Sequence, residues 1–108
     1  MVIFAVLMFS ALAANADSQS GKIVGFVPYT KGGKEVFLFK FQGNNTGGCN
    51  SSGRFAMDST SLHFKATYAA ILAAFNSQSD VFVAYSQSCN AWSNAWDVTY
   101  VCTGAINC

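Results

Sequence analysis

Trp92 and Trp96 sit in a polar stretch with Gln87, Ser88, Asn90, Ser93 and Asn94 around them. A sugar ring presents apolar faces and directional hydroxyls, so a saccharide site needs an aromatic platform beside hydroxyl, amide or backbone donors. This stretch supplies that mixture and makes Trp92 and Asn94 candidate glycan-binding residues. Indoles at such positions also fill cores and subunit contacts, which is the competing explanation.

Catalysis needs a nucleophile, a base or a metal, and the chain offers one histidine, His63, scattered carboxylates and four cysteines. Arg54 and Asp58 stand four residues apart in a strand-like run, so they share a face and read as a structural ion pair. No catalytic residue is assigned, and the protein is expected not to be an enzyme. There is no Cys-x-x-Cys pair and His63 is distant from every cysteine, so neither a metal nor another cofactor is expected. Six basic and five acidic residues are scattered along the chain, which marks no nucleic-acid footprint and no anionic-membrane patch.

Met1 to Ala13 is uncharged and apolar, too short to span a bilayer and of a length that suits a secretory h-region. Ala14-Asn15-Ala16 supplies the small residues of a signal-peptidase site, and Asp17-Ser18-Gln19-Ser20 turns polar at once. Residues 1–16 are therefore expected to be a signal peptide and 17–108 a single secreted or periplasmic domain without membrane insertion. A domain of that size buries only about two-thirds of its unfolded surface. Cys49, Cys89, Cys102 and Cys108 all lie in it, and an even number in an exported chain favours two disulfides. Spacing leaves all three pairings open.

The elements that must position these residues follow from periodicity. Gly21–Tyr29 is β-branched and aromatic, Gly32-Gly33 suits a tight reversal, and Glu35–Phe41 returns with Phe37, Phe39 and Phe41 on one face. Val36, Leu38 and Lys40 take the other face, and Pro28 belongs at a strand end or edge. Residues 43–53 read as a long exposed loop that Cys49 can pin, followed by a short strand over 54–58. Ser59 or Thr60 can cap a helix over about 60–76, whose apolar positions are Phe64, Tyr68, Ile71, Leu72 and Phe75. Strands over 80–85 and about 95–102 complete the order β-β-β-α-β-β. That order, with one helix between the third and fourth strands, matches the β-rich, five-stranded OB-fold barrel.

The run Arg54-Phe55-Ala56-Met57-Asp58, the helix segment Tyr68-Ala69-Ala70-Ile71-Leu72 and the loop cysteine Cys89 resemble a family of short exported bacterial proteins. The element order and the ending from Cys102 to Cys108 are also similar to toxin B subunits of the subtilase-cytotoxin and pertussis-toxin type. This resemblance implies a homopentamer that binds sialylated glycans and carries a separate A subunit. It implies glycan contacts at Ser20-Gly21, at the start of the first strand, and at Tyr85, with Asp17 just ahead of them. It also favours pairing Cys49 with Cys89, which leaves Cys102 with Cys108; a Cys49 to Cys102 pairing is the alternative. The rival to the toxin-like reading is a monomeric module that binds another protein through its loops. Asn44-Asn45-Thr46 and Asn50-Ser51-Ser52 fit the N-glycosylation sequon, which bears only on a eukaryotic secretory route.

Overall fold

The computed structural model describes residues 16–43 and 45–108. Residues 1–15, all but the last residue of the expected signal peptide over 1–16, and Asn44 lie outside them. The domain is β-rich, with strands β1 (Ala16–Lys31), β2 (Lys34–Phe41), β3 (Arg54–Asp58), β4 (Asp80–Ser86) and β5 (Ala95–Thr103) and one helix, α1 (Phe64–Ser77). The five strands close into a ring in the order β1-β2-β3-β5-β4. Among the described residues only β3 and β5 pair in parallel.

β1 is longer at both ends than its sequence pattern predicts, because its halves serve different neighbours. Residues 16–22 pair with β4, and the second half, from Ile23, pairs with β2. Gly32 and Gly33 turn the hairpin with φ of 58° and 77°, a left-handed pair that residues with a Cβ adopt at a cost. Beyond Lys22 the side of β1 away from β2 has no strand partner among the described residues. Pro28 lies in that stretch, as expected of a residue that cannot donate to a ladder.

Both faces of β2 are buried. Phe37, Phe39 and Phe41 point inward with Ile23, Phe55, Val81, Val83, Tyr85 and Trp96, while Val36 and Leu38 point outward and join Ala56 and Ala95 in a second cluster. The segment between β4 and β5 folds back over this outer cluster and covers it with Ala91 and Trp92. The small size of Ala56 and Ala95 lets that segment lie close.

The helix starts later than the sequence predicts. Asp58 accepts hydrogen bonds from the Thr60 hydroxyl and from the Thr60 N–H at 2.9 Å, and Ser61 N–H donates to the Asp58 carbonyl. This turn uses residues 58–61, so Phe64 is the first helical residue and neither Ser59 nor Thr60 caps it. Phe64, Thr67, Ile71 and Ala74 are the buried stripe. Phe64 and Tyr68 reach Phe37 at ring distances of 5.2 and 5.4 Å, and Phe75 reaches Phe26 at 5.5 Å, which seats the helix across one end of the ring.

Disulfides join Cys49 to Cys89 and Cys102 to Cys108, the pairing that the resemblance implies. Two disulfides fit an oxidising compartment, extracellular or periplasmic. Among the described residues no helix is long and apolar enough to cross a membrane.

Candidate functional site

The alternation of the ladders sorts the expected site residues onto different surfaces, because residues directly opposite in an antiparallel pair share a face. Asp17 lies opposite Tyr85, on the inner side. Tyr85 is only 2% exposed and stacks on Trp96 at 4.8 Å with an interplanar angle of 11°. Burial pushes its phenol above the usual 10.0, and the Asp17 carboxylate acts in the same direction. Gly21 also faces inward, against the Phe41 ring. Ser20, by contrast, lies opposite Phe82 on the outer side and is exposed. Ser20 and Tyr85 are therefore not brought together, although both come from paired strands.

Trp92 and Asn94 belong to a third region. Trp92 is half-buried over the outer cluster, with the Tyr29 ring at 5.1 Å and the Lys31 ammonium 5.3 Å above it. Asn94 accepts from the Arg54 guanidinium at 2.8 Å through its side chain and from Ser52 Oγ at 2.7 Å through its carbonyl. Arg54 is thus committed to Asn94 and Ser52, and the expected ion pair with Asp58 does not form. The described residues contain one ion pair, Lys22 with Asp80 at 3.0 Å. Trp96 is buried beside Tyr85 and Phe55, so of the two indoles only Trp92 reaches solvent.

Two residues whose part in holding these loops does not show in the sequence are Asp97 and Asn50. Asp97 accepts from Ser88 Oγ at 2.6 Å, from Asn90 N–H and side-chain amide at about 3.0 Å, and from Ala91 N–H at 2.9 Å. Asn50 is 1% exposed; its Oδ1 accepts from Gly53 N–H at 3.0 Å and Arg54 N–H at 3.3 Å, and its Nδ2 donates to the Asn45 carbonyl. A glycan on Asn50 would have to break that network, so this sequon is closed in the folded protein.

The outer face of β1, β4 and β5 is built differently from these loops. One row runs Ser18, Ala84, Tyr100 and the next Ser20, Phe82, Cys102. The Phe82 and Tyr100 rings lie 6.2 Å apart, tilted by 34°, with Tyr100 40% exposed and Phe82 half-buried. The Lys22–Asp80 pair bounds this face, and the Cys102–Cys108 bridge anchors the chain end beside it. The result is a shallow aromatic surface flanked by the exposed hydroxyls of Ser18 and Ser20. The β4 sequence held a faint signal for it: Val81, Val83 and Tyr85 alternate with Phe82, Ala84 and Ser86, but both sets are apolar enough to hide which faces water.

A cleft of about 580 Å³ lies at the end of the ring, between the hairpin tip and the first turn of α1. No group of three or more potential metal ligands occurs among the described residues. Comparisons with family models, with curated proteins and with solved structures return no match for this chain.

Proposed function

We propose that this is an exported, non-enzymatic glycan-binding protein with an OB-fold-like barrel. The ring order β1-β2-β3-β5-β4, the parallel β3/β5 pair and the helix between β3 and β4 support the OB-fold reading. The observation that carries the functional reading is the pairing of exposed Tyr100 with half-buried Phe82, with Ser18 and Ser20 in the same two rows. Aromatic rings stack on the apolar face of a sugar, and serine hydroxyls both donate to and accept from its hydroxyl groups. Ser20 is also the position at which the toxin-like resemblance places a sialic acid contact. On this reading the protein is a host-receptor-binding subunit of toxin B type, assembled as a pentamer with a separate A subunit.

A glycan array probed with the oxidised protein tests the proposal. Retention of sialylated glycans, weakened about tenfold by Ser20→Ala and lost in Phe82→Ala/Tyr100→Ala, is expected. Retention that these variants leave unchanged contradicts the assignment of the face. One observation favours the rival reading, a monomeric protein-binding module: Leu62 is fully exposed at the turn before α1. Under that reading the array stays blank and a Leu62→Ser variant loses a protein partner.

A further inference from the structure

The inner face of the hairpin continues past the point where the helix covers it. Phe26 and Phe37 are roofed by Tyr68 and Phe64, whereas Pro28, Thr30 and Glu35, next along the same face, are exposed. The cleft of about 580 Å³ opens there, within the usual size of a small-molecule site and at the end of a closed sheet, where such sites are common. Its floor is aromatic and buried: Phe37 is fully buried and Phe64 nearly so.

The two walls differ in charge. Lys65 stands on the helix wall, in a first turn with no acidic residue and no side-chain cap, so the positive end of the helix is not offset locally. Glu35 stands on the hairpin wall. Its backbone N–H and carbonyl are both taken by Ser59, on the side away from β1. The Thr30–Glu35 pair is therefore the non-hydrogen-bonded kind, and the carbonyls of Thr30 and Pro28 face the open edge of β1. Carboxylate and carbonyls make the hairpin wall rich in acceptors, opposite a cationic wall and over aromatic rings.

We propose that this cleft is a second ligand site that takes a phosphocholine group. A quaternary ammonium is a cation of low desolvation cost that aromatic rings attract, and Tyr68, Phe64 and Glu35 would receive it. The phosphate would lie toward Lys65 and the helix N-terminus. A simple anion meets Glu35 and a simple cation meets Lys65, so the zwitterion is the charge-complementary guest. An added peptide strand is a poorer one, because Pro28 removes an edge donor.

Isothermal titration of the oxidised protein with phosphocholine tests this. Saturable binding with Kd on the order of 0.1–1 mM is expected, with choline and inorganic phosphate each about tenfold weaker. Glu35→Gln and Lys65→Met, both at exposed positions, should each weaken binding about fivefold or more while leaving thermal unfolding unchanged. Parallel sedimentation with phosphatidylcholine vesicles distinguishes the source: co-sedimentation means a lipid-borne group, and its absence with binding in solution means a soluble or glycan-borne one. No saturable binding, or binding indifferent to both substitutions, overturns the proposal. The cleft shares no residue with the Ser20 face, so this inference and the glycan reading can fail independently.

Discussion

Asp97 gathers donors from Ser88, Asn90 and Ala91 onto one carboxylate, and bonds to a charged acceptor are worth more than neutral ones. Asp97→Ala strands those donors and frees the segment that covers the outer cluster. A loss of about 2–3 kcal/mol in urea unfolding is expected; a change below about 0.5 kcal/mol would mean that the segment holds itself. Tyr85 gives a pH signature. Its folded-state value lies above the unfolded 10.0, so the folded protein keeps that proton longer and loses stability as pH rises through the folded value. Tyrosinate absorbance should show a phenol that titrates above 10.0, and Tyr85→Phe should remove that step. Asp58 acts at the other end of the scale. The Thr60 hydroxyl holds its carboxyl below the usual 3.8, so its contribution is complete above that value and disappears as pH falls through the folded one. Neither Asp97 nor Asn50 was legible beforehand, because each acts through backbone groups brought near only when the loops close.

At the scale of elements, every strand and the helix were legible from alternation and from the offsets of Phe64, Tyr68, Ile71 and Phe75. The start of α1 was not, since Ser59 and Thr60 have the chemistry of caps and the competing turn depends on the Asp58 side chain. The second face of β2 was legible as apolar in Val36 and Leu38, but what covers it is a polar-looking segment with one indole. Where the expected site residues sit was less legible than the fold. Ser20 reached an exposed face, Tyr85 went inside, and Phe82 and Tyr100 were not singled out. The disulfides divide the covalent support unequally. In the chain-entropy view, removing the Cys49–Cys89 bridge, with its separation of 40, costs about 4 kcal/mol. Removing the Cys102–Cys108 bridge, with its separation of 6, costs about 2 kcal/mol. Paired Cys→Ser variants compared by denaturant midpoint should fall in that order; the reverse order would show that the chain end, not the loop clasp, limits stability.

For the whole molecule, the toxin-like reading carries a consequence for mass. Light scattering of the oxidised protein should give five times the monomer mass; a clean monomer would remove delivery as a role and leave a small binding module. Glycan recognition by the outer face of β1, β4 and β5 does not depend on that number, and it is the central claim. Amide chemical-shift mapping during titration with a sialylated trisaccharide tests it most directly. The expected result is saturable change concentrated at Ser18, Ser20, Phe82 and Tyr100, with the buried Tyr85 and Trp96 nearly still. Absence of saturable change on that face, or change confined to the Trp92 region, would contradict it.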